Sequence, residues 1–167
     1  MSYTKDKEYK KIVKNILRNN EFKKMYNIEH HGISRWEHLV KISYHSYVIA
    51  KKLNMDYKSV ARGALLHDFY LDGDERSKKR KFLDTFSHPK KALNTSLKHF
   101  DINEMEQNII VSHMFPIYFV LPRFKESILV DLVDKCIGSV EIIREYRYKF
   151  RYRFNFLLIF TFLMINL

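Results

Sequence analysis

For most of the chain the apolar positions keep a helical rhythm. Ile12, Val13, Ile16, Leu17 and Phe22 recur at helical spacing, so short helices are expected over residues 5–19 and 21–26. The pattern breaks at His30, His31, Gly32 and Ile33. It resumes after Ser34-Arg35-Trp36-Glu37, a capping box in which serine and glutamate satisfy the free amides of a first turn. The helix opened there carries Leu39, Val40, Tyr47, Ala50 and Leu53.

Asp56 can cap the next helix, which carries Val60, Ala61, Ala64 and Leu65 and closes around His67-Asp68-Phe69. Leu71-Asp72-Gly73-Asp74 has the composition of a loop. Ser87-His88-Pro89 reads as a helix start, because proline in a first turn gives up no hydrogen bond. A further helix opens at Asn103-Glu104 and carries Ile109, Ile110, Val111 and His113. Pro116 and Pro122 bracket an extended connection. The last helix is expected from about Phe124 past Val140, with Leu129, Leu132, Val133, Cys136 and Ile137 inward. Strand-like character is confined to 116–122 and to the tail.

These elements give an all-α expectation, a single-domain helical bundle. Only 4 Gly and 3 Pro occur in 167 residues, too few for the turns of a sandwich or barrel. Three parts are expected: N-terminal helices over 1–28, a central domain over 29–145 and a tail over 146–167. Cys136 is the single cysteine and Met1 to Lys11 is polar and lysine-rich, which points to a reducing, cytoplasmic setting. The formal charge of +11 changes the picture through its placement. Arg76, Lys78, Lys79, Arg80, Lys81, Lys90 and Lys91 form one group, and Arg144, Arg147, Lys149, Arg151 and Arg153 another. Either can attract nucleic acid, anionic membrane or phosphorylated small molecules, or can simply be solvated surface.

Candidate chemistry lies where the helices end. His38 sits within one helix, His67-Asp68 closes the next, His88 opens another, His113 ends the one after, and Asp131 and Asp134 follow. Imidazoles and carboxylates from separate helices can converge in a bundle core, where a divalent metal makes their burial tolerable. Each also has a plainer reading. His38 suits a core histidine, His88 a helix-opening residue, and His113 a C-terminal residue favoured by the helix dipole.

The order His38, His67-Asp68, Asp134 resembles the HD phosphohydrolase superfamily. So does its context, Arg35-Trp36-Glu37-His38 opening one helix and Gly63-Ala64-Leu65-Leu66-His67-Asp68-Phe69 closing the next. His88 and His113 are similar to the extra histidines of two-metal members such as HD-type cyclic-dinucleotide phosphodiesterases, and a similar order occurs in HD-type diadenosine tetraphosphate hydrolases. The resemblance covers roughly residues 30–140. It implies a first metal on His38, His67, Asp68 and Asp134. Asp68 would bridge to a second metal completed by His88 and His113, the ions being iron, manganese, magnesium or zinc. Asp134 is preferred over Asp131, which becomes a supporting residue behind the ligands. His31 is a candidate third ligand to the second metal or proton donor to the leaving group, or else a surface or turn residue; Arg35 is a candidate site charge beside Asp68, and the basic loop 72–91 a candidate for substrate phosphates. His30, His45 and His99 match no family position and are read as structural or surface.

The implied activity is hydrolysis, by metal-activated water, of a phosphate ester or anhydride in a nucleotide or related small molecule. Two alternatives remain, a metal-dependent nucleotide sensor without turnover and a basic nucleic-acid-binding bundle. Tyr146 to Phe154 alternates aromatic and basic residues before a mostly apolar end. That tail suits packing on the bundle or a second subunit, or contact with a membrane surface; its apolar end argues against nucleic acid.

Overall fold

The computed structural model describes residues 5–30, 32–71 and 78–165, the side chains of 78–86 and 154–165 excepted. Among them, seven α-helices and one two-stranded ribbon are formed. The all-α expectation holds.

The chain begins with α1 (Lys7–Arg18), capped by Asp6, whose carboxylate accepts the Tyr9 amide. Tyr9, Val13 and Ile16 share one face and are fully buried. Burial of Tyr9 is tolerable because its hydroxyl donates to Ser43 Oγ (2.7 Å), which donates to the Ala61 carbonyl (2.6 Å). After α2 (Asn20–Lys23) and a 3₁₀ turn (Lys24–Asn27) come β1 (Glu29–His30) and β2 (Ile33–Ser34), paired antiparallel. Gly32, at φ +77°, supplies the left-handed turn residue between them. The break in helical pattern at 30–33 is thus a small hairpin, too short to leave a strand period in the sequence.

Helix α3 (Arg35–Lys52) is capped by Ser34, which accepts the Glu37 amide at 3.2 Å. The reciprocal half of the expected box is replaced by an approach of Glu37 to Lys41 (4.0 Å). Asp56 caps α4 (Tyr57–Leu66), the closest neighbour of α3 in the bundle. Helix α4 also lies tightly on α6 (Glu104–Ser112), the element with the full capping box, Asn103 with Glu106. A methyl group on Gly63 would sit only 3.0–3.1 Å from Cδ1, Cβ and Cγ2 of Ile109. Glycine is what lets α4 and α6 approach so closely. The core is continuous from α1 through α3 and α4, with Phe22, Leu39, Val40, Leu65, Leu66, Phe69 and Ile110 at its centre.

Three expectations are corrected. Ser87-His88-Pro89 does not start a helix, because α5 runs Lys78–His99 with Pro89 inside it. Proline removes one amide and crowds the preceding turn, yet Pro89 is buried and the neighbouring His88 and Ala92 pack inward, so tertiary contact overrides the local signal. The tail is not strand-like, since α7 continues unbroken over Lys125–Ile165, 41 residues or roughly 60 Å. Leu132 and Cys136 do not face inward. Leu132 is 55% exposed and Cys136 is exposed, while Ser127, Val130, Asp131 and Glu141 form the buried face. Apolar residues occupy both sides of α7, and the acids, not the leucines, mark its inner side. Among the described residues, no helix is long and apolar enough to cross a membrane.

Asn108 fixes the approach of α7 to the bundle. Its buried side-chain oxygen accepts from the Arg123 amide and the Ser127 hydroxyl, both at 2.8 Å, tying the 116–124 connection to α6. Lys135 donates to the Phe115 carbonyl and to Asp131. Helix α7 is thereby phased so that Asp134 meets the ends of α4 and α6.

Candidate metal centre

Two of the site histidines are placed by helix termini. His67 and His113 are the C-cap residues of α4 and α6. Each turns its ring back so that Nδ1–H donates to a carbonyl three residues earlier, Ala64 at 2.7 Å and Ile110 at 2.8 Å. Those carbonyls have no amide partner in the final turn, so the imidazoles complete the helix end. With Nδ1 donating, Nε2 is the nitrogen that points into the site and, in the neutral ring, carries the lone pair. His38, in the first turns of α3, reaches the same state differently: its Nδ1–H donates to Glu141 Oε2 at 2.7 Å. Three imidazoles are therefore oriented as metal ligands require, each with its far nitrogen tied to an oxygen.

The ligand atoms fall into two adjoining groups. His38, His67 and Asp134 offer atoms within 4.8 Å of one another, and so do His67, Asp68 and His113. His38 Nε2 lies 3.2 Å and His67 Nε2 3.6 Å from Asp134 Oδ1. On the other side, His88 Nε2 is 3.0 Å from His113 Nε2 and 3.3 Å from Asp68 Oδ1, with His113 Nε2 3.8 Å from the same oxygen. Bonds of about 2.0–2.1 Å in a four-coordinate site separate ligand atoms by about 3.3 Å. These spacings bracket that value. Among the described residues, no hydrogen-bond donor satisfies Asp68 Oδ1, although Asp68 is buried. A buried carboxylate oxygen left without a donor beside imidazole nitrogens is the donor set of a cation site. These groups could hold a metal ion.

The electrostatics divide the groups. Burial disfavours a charged His38, but the hydrogen bonds and charges of Asp134 and Glu141 outweigh it and raise its pKa to about 9. His67 is raised as well, burial being overcome by Asp134 and then Asp68. His113 is pushed down to about 4, by burial first and then by the charge of His67. Burial raises the Asp68 and Asp134 carboxyls, yet neighbouring imidazoles hold both well below the usual range: His88, His67 and His113 at Asp68, His67 and His38 at Asp134. A proton on His38 thus balances Asp134 and Glu141, while His113 stays neutral.

Of the sequence candidates, His38, His67, Asp68, His88, His113 and Asp134 are brought together, all but Asp134 buried. Asp131 turns aside to Lys135. Arg35 is buried in the wall, its guanidinium 4.1 Å from the Tyr70 ring centroid and donating to the Tyr70 carbonyl at 2.9 Å. The Tyr70 ring in turn stacks on His88 (5.6 Å, 28°), so Arg35 bears on the site through Tyr70. His31 lies outside the described residues, as do 72–77 with Arg76 and the side chains of Lys78, Lys79, Arg80 and Lys81.

Two residues at the site carried no sequence signal of comparable strength. Glu141 is buried and accepts from both His38 and Lys41 Nζ (2.6 Å). Its position seven residues after Asp134, on one face of α7, was the available hint. His30, on β1, packs its ring on His38 at 4.3 Å, whereas His45 and His99 are exposed. Comparison of the chain with protein-family models, curated proteins and solved structures returned no match.

Proposed function

We propose that this chain is a metal-dependent phosphohydrolase of the HD type, acting on a nucleotide or related phosphorylated small molecule. One observation carries the reading. His38, His67 and His113 are fixed through Nδ1 and present Nε2 to Asp134 and Asp68, whose Oδ1 has no donor among the described residues. Asp134 with His38 and His67 would hold one ion, and Asp68 with His88 and His113 a second. The ordered residues match those of the resemblance.

Divalent ions so held would lower the pKa of water and offset negative charge building on a phosphoryl group. The protein's own contribution is orientation and proton control. Glu141 fixes the His38 ring and with Asp134 favours its protonated form until a cation displaces that proton. His113 stays neutral and ready to coordinate. Tyr70, clamped by Arg35, holds the plane of His88. Mixed nitrogen and oxygen ligation suits iron, manganese or zinc, and magnesium with more water.

The test is purified protein supplied with Mn²⁺, Fe²⁺, Zn²⁺ or Mg²⁺ and a panel of nucleotides. Phosphate or nucleotide release that disappears in Asp68→Ala is the expected result. Metal-dependent nucleotide binding without release across the panel would replace the hydrolase with a sensor. A metal content of zero after growth and purification with each ion would remove the metal reading altogether.

A further inference from the structure

Beyond Glu145 the last helix presents its side chains to solvent as far as Arg153. Every residue from Tyr146 to Arg153 is exposed, and Tyr146, Tyr148, Phe150 and Tyr152 leave 67–73% of their surface open. In a strand, alternating aromatic and basic residues would occupy opposite faces. Here the segment is helical, and each two-residue step turns about 200° around the axis. The aromatics at 146, 148, 150 and 152 and the cations at 147, 149, 151 and 153 therefore encircle α7 as a belt. Glu145 is the last acidic residue of the sequence, and it pairs with Lys149. From Phe154 to Leu167 no charged side chain occurs, while the backbone stays helical to Ile165. Polarity changes along the helix axis, not around it.

We propose that the distal part of α7 inserts into an anionic phospholipid bilayer, the belt resting among the headgroups and the apolar residues that follow it among the acyl chains. Aromatic side chains favour the headgroup boundary, and arginines and lysines there are attracted by anionic lipid. A helix lying flat in the interface would need separate polar and apolar faces, which the belt does not provide. Pairing with a second copy would bring two belts within about 8–10 Å, cations against cations with no acid after Glu145 to offset them. Single-stranded nucleic acid suits the belt but leaves the apolar segment exposed.

The full chain is tested by flotation with vesicles of phosphatidylcholine alone and of phosphatidylcholine mixed with phosphatidylserine. Co-flotation with the anionic vesicles, weakened by salt, is expected. Each cation removed lowers binding about fivefold, so Arg147→Gln, Lys149→Gln, Arg151→Gln and Arg153→Gln together lower it by more than about 100-fold. Leu158→Asp with Phe160→Asp abolishes it, with circular dichroism showing that both variants remain helical. Absence of flotation, or flotation indifferent to both variants, overturns the proposal. So does a dimer in lipid-free solution that the aspartate pair dissolves while flotation is absent, or retention of single-stranded RNA in place of vesicles.

Discussion

The two halves of the candidate metal centre are built from the same kinds of residue but solve the burial of charge differently. On the α7 side, His38 and His67 face Asp134, with Glu141 and Lys41 behind. The carboxylates of Asp134 and Glu141 face imidazoles and Lys41, and a proton on His38 completes the balance there. On the α5–α6 side, His88 and His113 crowd Asp68, His113 is held neutral, and among the described residues one carboxylate oxygen has no donor. The first half balances its buried charge among its own residues; the second offers a carboxylate oxygen and imidazole nitrogens that could hold a cation. The comparison separates a stability role from a binding role within a single pocket: protons substitute for a metal only where carboxylates surround the imidazole.

His67 belongs to both groups, so its removal should have the largest effect. His67→Ala is expected to reduce bound metal and hydrolysis by more than about 100-fold, beyond the loss typical of a residue behind the ligands. Metal analysis and initial rates measured side by side check this. Full activity in His67→Ala would break the idea of two joined halves.

Glu141→Gln should act on the first half alone. Metal affinity there is expected to fall about 10–100-fold, and the His38 pKa to drop, as read by NMR titration of the metal-free chain. Competence of the Asp68 side should persist, visible as a biphasic metal titration. A uniform loss across both phases would show that the halves do not act separately.

The metal-free chain should also show opposite pH slopes from the two sides. His38 binds its proton more tightly when folded, so its contribution is complete below about pH 6.5 and is lost as pH rises through about 9. His113 binds its proton less tightly when folded. Its contribution is complete above about pH 6.5 and is lost as pH falls toward about 4. Melting temperatures recorded with chelator across this range should peak between the two limbs. His38→Gln should flatten only the alkaline limb. Added metal should lift that limb most, because the ion no longer competes with protons there.

The smallest effect is expected where the halves are held together. Gly63→Ala adds a methyl at 3.0–3.1 Å from Ile109, costing about 1–3 kcal/mol in overpacking against about 1 kcal/mol gained in helix propensity. A net loss of about 1 kcal/mol should appear as a lower denaturant midpoint. His67 and His113, whose rings are 4.8 Å apart across this contact, should separate slightly, with a lowered rate. An unchanged midpoint with normal activity would show that the approach of α4 to α6 is looser than the packing implies.

Much of the first half of the fold was legible because its signals are local. Ser34, Asp56 and Asn103 do cap α3, α4 and α6, since a cap depends on residues within one turn. His67 and His113 could be placed at helix ends for the same reason. Pro89 misled because proline's local cost is real, but a buried helix can bear it. The tail misled because a period of two is a strand signal only when the backbone is extended, and α7 simply continues. Leu132 misled because apolar residues line both sides of that helix, so periodicity alone did not fix its phase.

The sequence by itself determined which side chains are available for the centre and which turns deliver them: His38 early in one helix, His67-Asp68 and His113 at the ends of two others. Only tertiary structure decided what those side chains face. The bond between His38 and Glu141 joins residues 103 positions apart, and the stack of Arg35, Tyr70 and His88 joins three separate segments. The contrast between the Asp134 half, balanced among its own residues, and the Asp68 half likewise follows from burial and distance. Ligand identity is written residue by residue along the chain. Charge balance exists only once helices distant in sequence have packed, because it depends on which opposite charges burial brings within a few ångströms.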